Sequence, residues 1–386
     1  MARVNIGLIG VGSMGRYVAG LVQQKSNEVN FTSLYDPDDR SVSRTREYLG
    51  FGGNICRSVE ELLSGDCDWV MIASWNVFHA EQSIAAFRAG KNVFCQKPLA
   101  TSLKECLAMR DAWKVSGKQF VIGFTLRYSP HYRRLKQLVE SGAIGDVISM
   151  DFNETLPFNH GGYIMGDWRR RRENAGSHVL EKCCHDIDIA NWIVGSRARR
   201  VASFGGTDFF VPSNAHHIER LGKNDAGKDA YRVRKGLIGE HPFTADKDIV
   251  DNQVVILEYD NNVRATFHMN SNAAIPERRM YICGTQGAIR SDVISGKIEL
   301  QRIGFETELE DHSTDTSGMH GGGDDVLATE LVTAMSERTA MSGRTAMSAG
   351  ICEGLAAAVT CFAIDDALDQ SEVVDLADYW DQVDRS

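Results

Sequence analysis

The chain has no hydrophobic run near the ~20 residues needed to cross a bilayer, and its 386 residues hold only seven prolines. Cysteine is too scattered for a stapled fold: nine residues, an odd number without zinc-ligand spacing, fit reduced thiols better than a disulfide framework. Cys183 and Cys184 are adjacent and read as packing residues beside a site. Basic charge is in deficit, with 42 Lys and Arg against 52 Asp and Glu and a net charge of -10. Nucleic acid and anionic membrane both call for a concentrated basic surface, so neither is an expected partner. The opening MARVNIGLIG lacks the long apolar core and cleavage site of a signal peptide, which makes the cytoplasm the expected compartment and a small soluble molecule the expected partner. The His216-His217 pair has no further ligands at recognised spacing, so no metal is expected.

At this length two domains are the working expectation. An apolar run, Val4 to Ile9, opens onto Gly10, Gly12 and Gly15 in the G-x-G-x-x-G spacing, followed by a helix-compatible stretch. Gly10 permits the tight strand-to-helix turn, Gly12 the approach of a pyrophosphate, and Gly15 close packing of helix on strand. Gly10, Val11, Gly12, Ser13, Met14 and Gly15 are thus the expected cofactor loop. Asp36 closes a second strand, Val29 to Tyr35, at the offset of a ribose-binding carboxylate, which favours NAD; Arg40 nearby keeps NADP open. Strand and helix signals then alternate, with capping boxes at Ser58/Glu61 and Ser102/Glu105 and strands at Trp69 to Ala73, Asn92 to Cys95 and Phe120 to Phe124. The order predicts a parallel sheet with ligands at the carboxyl ends of its strands. Ser74 to His79, Gln96 to Pro98 and Thr125 to Tyr128 therefore belong on one rim with the glycine loop.

After about Arg127 the pattern changes to one helix, Tyr132 to Ser141, and longer strand-like runs, with a polar hairpin turn at Asp260 to Asn262. The expected fold class is α/β: a Rossmann domain over residues 1–125, then an α+β domain over residues 126–386 with a large, mostly antiparallel sheet. Residues Ser203 to Asp248 read as a long excursion, and TAMS recurs at Thr333, Thr339 and Thr345. Asp324, after His320 and three glycines, reads as a helix cap.

Two places carry candidate chemistry. Lys97, at a strand's carboxyl end and held by Pro98, can stabilise a developing alkoxide and relay its proton. In EKCCHDID, Glu181 and His185 share a face if the segment is one helix; the carboxylate then fixes the tautomer of an imidazole that accepts a hydroxyl proton. Asp167-Trp168 with Arg169 to Arg172 offers an aromatic plate and a cation for a sugar, against the alternative of a solvated or subunit-contact run.

Together these pieces resemble the family of glucose-fructose oxidoreductase, inositol dehydrogenase and the rhizopine-catabolism oxidoreductases (Gfo/Idh/MocA). The resemblance runs through GVGSMG and Asp36, SWNVFH at Ser74 to His79, QKP at Gln96 to Pro98, RYSP at Arg127 to Pro130, SGAIGDV at Ser141 to Val147, GSHVLEKCCHDID at Gly176 to Asp188, and GTQGAI at Gly284 to Ile289. It implies an NAD(P)-dependent oxidoreductase acting on a secondary hydroxyl of a sugar, inositol or related polyol, in the cleft between the domains. By it Lys97 and His185 handle protons, with Glu181 matching the family's aspartate. Ser74, Asn76, His79 and Gln96 belong to the cofactor rim, and Arg127 and Tyr128 lie near nicotinamide and substrate. A homodimer or homotetramer through the open sheet face is implied by resemblance alone. The sequence departs from the family at Gln96, usually Glu, at Glu181, and at Trp75, usually Pro. Two other functions stay open: redox-neutral cleavage of a glycoside with NAD retained, and a non-catalytic nucleotide-binding sensor.

Overall fold

A computed structural model of the chain describes residues 3–231, 239–336 and 347–385. The described residues divide into two compact units, one within Met1–Pro130 and Ser317–Ala358, the other within His131–Thr316 and Val359–Arg385.

In the first unit β1 (Val4–Ile9), β2 (Val29–Tyr35), β3 (Asn54–Ile55), β4 (Trp69–Ile72), β5 (Asn92–Cys95) and β6 (Phe120–Ile122) form one parallel sheet in the order β3-β2-β1-β4-β5-β6. Helices α1 (Ser13–Lys25), α2 (Asp39–Leu49), α3 (Val59–Ser64), α4 (His79–Arg88) and α5 (Leu103–Ser116) connect the strands. Their starts follow local chemistry: Ser58 accepts from the Glu61 N–H, Ser102 from that of Glu105, and Asp38 from that of Arg40. β4 to β6 are buried along their length apart from Asn92, as strands with helices on both faces must be. The expected Rossmann sheet is thus present, with its strand-order reversal between β1 and β4.

The second unit is built on a nine-stranded sheet. β7 (Val147–Pro157), β8 (Ala198–Gly206), β9 (Asn252–Tyr259), β10 (Arg264–Ala273), β11 (Arg279–Gly284), β12 (Gly287–Asp292), β13 (Lys297–Arg302), β14 (Leu309–Asp311) and β15 (Val374–Asp375) run in the order β14-β13-β12-β11-β7-β10-β9-β8-β15. Every pairing is antiparallel except β7 with β10. Helices α6 (Pro130–Glu140), α7 (Phe158–Gly166), α8 (Arg172–Ala175), α9 (His178–Glu181), α10 (Cys184–Val194) and α11 (His217–Leu221) occur in chain order, and α7 and α10 pack on the central strands. On β9, Val255, Leu257 and Tyr259 point inward while Val254 and Ile256 face out, the alternation of a sheet covered on one face.

Two sequence expectations need correction. The excursion does not begin at Ser203, because β8 continues to Gly206, its Arg200 paired across to Glu258 of β9. The segment after β8 contributes to a core of its own: Phe210, Tyr231, Phe243 and Ile249 form an apolar cluster with Leu156, Ile164 and Met165 of β7 and α7. Asp251 anchors it by accepting from the N–H groups of Asp208, Phe209 and Phe210 at 3.0, 2.9 and 2.7 Å. Residues 232–238 of the excursion lie outside the described residues.

A single cut after residue 125 also fails to describe the units. α12 (Gly323–Ser336) returns to the first unit, where Leu327, Leu331 and Met335 join Val18 and Val22 of α1 in one core and Lys25 meets Asp325 at 2.5 Å. Gly323 is required there, since a Cβ would stand 2.4 Å from the Thr125 carbonyl oxygen. Asp324 lies inside the first turn rather than at the cap, with its carboxylate 2.8 Å from His320 Nδ1. The first TAMS, at Thr333, lies in α12; Thr339 and Thr345 lie outside the described residues. Two further helices, α13 (Ile351–Gln370) and α14 (Ala377–Asp384), complete the chain's described elements.

Candidate active site

The three glycines of the loop have different physical reasons. A Cβ on Gly10 (φ +80°) would lie 2.3 Å from the Ser74 nitrogen, and one on Gly15 would lie 2.0 Å from the Gly10 carbonyl oxygen. Both positions are closed by the protein itself. Gly12 is different: it precedes α1 with ordinary φ and ψ, and a Cβ there meets nothing within 4 Å. Nothing among the described residues demands glycine at this position, whereas a phosphate against the helix N-terminus would. Gly12→Ala is therefore expected to fold with its melting temperature unchanged and to bind NAD at least about tenfold more weakly, while Gly15→Ala loses the fold. Thermal melts alongside fluorescence titration with NAD check both.

Ser13 and Met14 open α1, and the Val11 N–H donates to Asp36 Oδ2 at 2.8 Å. The other Asp36 oxygen accepts from the Asp38 N–H at 2.9 Å, so the carboxylate ties the glycine loop to the end of β2. Burial pushes its pKa up, against the opposing pull of these two donors. Arg40 is held by Asp38, Nε to Oδ1 at 3.1 Å. That pairing gives Arg40 a partner other than a cofactor phosphate.

Past β4, the Ser74 hydroxyl donates to Gln82 Oε1 at 2.6 Å, and Asn76 is buried in a single 3-10 turn. His79 is fully buried; its Nδ1 lies 2.8 Å from the Pro98 carbonyl and its Nε2 3.3 Å from that of Ser74. His79 thereby joins the rim segment after β4 to the one after β5. In that second segment Gln96 is buried, and its Nε2 finds no partner among the described residues. Lys97 comes next, half-buried, with a cis bond to Pro98. Arg127 and Tyr128 lie buried in the 3-10 turn Thr125–Tyr128, where Arg127 Nη1 donates to the Ser348 carbonyl at 3.0 Å. The first unit thus gathers Gly12, Asp36, Ser74, Gln96 and Lys97 at the carboxyl ends of β1, β2, β4 and β5.

In the second unit, Glu181 and His185 are not on one continuous helix. α9 ends at Glu181 and α10 begins at Cys184, with Cys183 at ψ 0° between them. The single helix that would set them i, i+4 is interrupted at Lys182 and Cys183. Glu181 Oε1 accepts from Arg169 Nε at 2.9 Å, and Arg169 Nη1 donates to Asp167 Oδ2 at 3.0 Å. The guanidinium lies 4.3 Å from the Trp168 ring centroid and 4.9 Å from that of Tyr163. Burial works against the charge on Arg169, but Glu181 outweighs it and raises the pKa further. His185 is itself buried.

The arginine run is no solvated stretch. Arg170 pairs with Glu240 and donates from Nε to the Asp246 carbonyl at 3.0 Å; Arg171 pairs with Asp246; Arg172 grips Asp369 with both terminal nitrogens at 2.7 and 3.2 Å. It ties the excursion and α13 to the segment bearing Trp168 and Arg169. The two histidines of the excursion have local partners, His217 Nδ1 with Arg220 Nε at 2.8 Å and His216 Nδ1 with the Ser213 carbonyl at 2.9 Å.

Sequence reading missed the ionic cluster beneath this region. Arg278 donates from Nε and Nη2 to the two oxygens of Asp186, both at 2.7 Å, and its Nη1 lies 3.3 Å from Glu154 Oε1. Lys182 Nζ reaches the same Glu154 oxygen at 3.2 Å. Burial raises the Glu154 carboxyl, but Arg278 and Lys182 outweigh it and hold it well below the ordinary range. For Asp186, burial and the nearby Glu154 charge prevail over Arg278 and push it up to about 7. Glu154, Cys183 and Asp186 bring potential ligand atoms within 4.8 Å of one another. Burial raises the Cys183 thiol well above its usual range and two cations already serve the carboxylates, so the set is an ion-pair network. Nearby, burial lowers His160 to about 3 and also lowers His178. The one sequence signal for this cluster is Glu154 itself, a carboxylate within the otherwise strand-like run Val147–Pro157.

Comparison with known proteins matches two family models: the oxidoreductase family, NAD-binding Rossmann fold (GFO/IDH/MocA), over residues 4–124, and the GFO/IDH/MocA C-terminal domain over residues 132–290. The chain is 28% identical to an uncharacterized oxidoreductase of Streptococcus pneumoniae, over 79% of this chain and 72% of that protein. It is 25% identical to the 2,7-anhydro-N-acetylneuraminate hydratase of Escherichia coli, over the same shares, 79% and 72%. To inositol 2-dehydrogenase 3 of Saccharopolyspora erythraea it is 31% identical, over 50% of this chain and 54% of that one. Among solved structures, levoglucosan dehydrogenase in complex with NADH and levoglucosan shares the fold at a TM-score of 0.78 and 21% identity, covering 97% of this chain and 100% of that one. No helix among the described residues is long and apolar enough to cross a membrane. With a parallel Rossmann sheet, a glycine cradle open at Gly12 and both family models matched over residues 4–124 and 132–290, the chain belongs to the Gfo/Idh/MocA oxidoreductases and carries their NAD-binding domain.

Proposed function

We propose that the protein oxidises a secondary hydroxyl of a sugar, inositol or related polyol. The observation that carries this reading is the second unit's cluster around Arg169, where two aromatic rings and a charge-compensated guanidinium stand beside Glu181, four residues before His185. Aromatic faces with hydrogen-bond donors suit a ring that is apolar on its C–H faces and polar at its rim. The similar proteins named for levoglucosan and inositol support the same substrate class.

Gly10 to Gly15 would hold the pyrophosphate of NAD, Asp36 the adenosine ribose, and Ser74, Asn76, His79 and Gln96 the rim toward the nicotinamide. Bound NAD supplies the hydride acceptor. Lys97 donates a hydrogen bond to the reacting oxygen and stabilises the negative charge that develops there. His185 accepts the hydroxyl proton. Glu181 acts through Arg169, setting the position of Trp168 and the guanidinium against the substrate; Arg127 and Tyr128 complete the first unit's side.

The deciding experiment tracks absorbance of reduced nicotinamide while the protein meets NAD across sugars, inositols, anhydro sugars and simple glycosides. A sustained rise with one class is expected. The hydratase named among the relatives favours a second reading, redox-neutral conversion with NAD retained. Product formation by NMR without any absorbance rise would select that second reading and reject net oxidation.

The reading also includes self-association. The outer sheet face exposes Phe204, Val254, Ile256 and Tyr281 at 68, 47, 52 and 44%. Ile256, Thr266, Asp151 and Tyr281 form one cross-strand row over β9, β10, β7 and β11. A face on which exposed Phe204, Val254 and Ile256 adjoin fits the same face of a second copy. Ile256→Glu is expected to convert the oligomer to monomer in sedimentation velocity without lowering helix content; an unchanged sedimentation coefficient rejects the face.

A further inference from the structure

Among the described residues, the cations near Glu181 in the second unit are committed to carboxylates. Arg169 lies between Glu181 and Asp167, Lys182 against Glu154, and Arg278 between Asp186 and Glu154. The cluster therefore sets three cations against four carboxylates, and even with one carboxyl protonated it carries no positive excess. The next three arginines in the chain are taken by Glu240, Asp246 and Asp369. Burial keeps His160 and His178 in their uncharged forms, so neither imidazole supplies a cation at neutral pH.

We propose, resting on the oxidoreductase reading above, that this unit's substrate site selects uncharged polyols and excludes sugar acids. A carboxylate brought beside Arg169 would add a third anion to a guanidinium already serving two, in a region where burial weakens solvent screening. A hydroxyl meets no such penalty. Among the described residues Arg169 Nη2 makes no hydrogen bond, which leaves its N–H groups to donate to a neutral oxygen while Glu181 and Asp167 hold the charge. Glu181 and Asp167 thus do more than position Arg169. They turn an arginine that would otherwise recruit carboxylates into a donor for alcohols.

The test uses the full chain loaded with NAD and matched pairs, D-glucose with D-glucuronate and D-galactose with D-galacturonate, extended to myo-inositol and levoglucosan. Both turnover and binding are measured, binding by saturation-transfer NMR. The uncharged member of each pair is expected to be favoured by at least roughly 100-fold. Acids used or bound as well as their neutral partners overturn the proposal, and so does failure of every uncharged member to bind. If neutral sugars bind preferentially yet none is turned over, oxidation falls and charge selection stands. Asp167→Asn provides the second arm: the amide oxygen still accepts from the Arg169 N–H, as Oδ1 does at 2.9 Å, but one counter-charge is gone. Its acid-to-neutral ratio is expected to rise about tenfold. An unmoved ratio overturns the proposal.

Discussion

Replacing His185 by asparagine is expected to lower turnover by about 100- to 10,000-fold while keeping the fold and the affinity for NAD. Asparagine fills much of the space of the buried imidazole and removes the proposed proton acceptor. Lys97→Met is expected to cost a similar factor for a different reason: the stem is kept and the ammonium that stabilises the developing alkoxide is lost. Lys97→Arg is no rescue, because a planar fork replaces a compact, rotatable donor. Since the proposed mechanism has both groups act on the same reacting hydroxyl, the double variant should be little slower than the worse single variant. Steady-state kinetics with the best substrate, beside NAD titrations and thermal melts, read all of this. A folded, NAD-binding His185→Asn protein with wild-type kcat removes the assignment.

The largest effect on stability is expected from Arg278. Its guanidinium is buried, bonded twice to Asp186 and close to Glu154. Arg278→Met leaves those two carboxyls facing each other with Lys182 as their one remaining cation among the described residues. Removing one partner of a buried ion pair costs about 3–5 kcal/mol, because the survivor keeps its desolvation penalty. For a chain of this size that corresponds to a fall in melting temperature of roughly 10 °C. The control is Arg385→Met at the exposed pair with Asp381, where the expected change is under about 1 kcal/mol. Adding Asp186→Asn to Arg278→Met should recover part of the loss, since one uncompensated charge disappears with it. Equal melts for Arg278→Met and Arg385→Met would show that the buried network contributes nothing.

Much of the first unit was legible because its signals are local. Capping residues, the glycine spacing and the apolar runs each lie within a few residues of what they control, and β1, β2 and β5 have the bounds read from the sequence. The second unit was less legible where partners are distant. β8 begins Ala-Arg-Arg and reads as polar until Glu258 is placed across from Arg200. Asp251 looks like an ordinary turn residue until three N–H groups from the chain 41 to 43 residues earlier point at it.

Spacing and periodicity were enough for the parallel sheet and the glycine turn, because each depends on neighbours in the chain, and the order of several short motifs was enough for the resemblance to the family; Lys97, Glu181 and His185 stand as proposed site residues. Long-range packing settled the rest. It distinguished Gly12, open to a ligand, from Gly10 and Gly15, closed by the protein, and brought α12 back onto α1. It also broke the helix between Glu181 and His185 and gave Glu181 to Arg169, since the angle at which two short helices meet and the choice of a buried carboxylate's partner are set by which distant side chains share its desolvation.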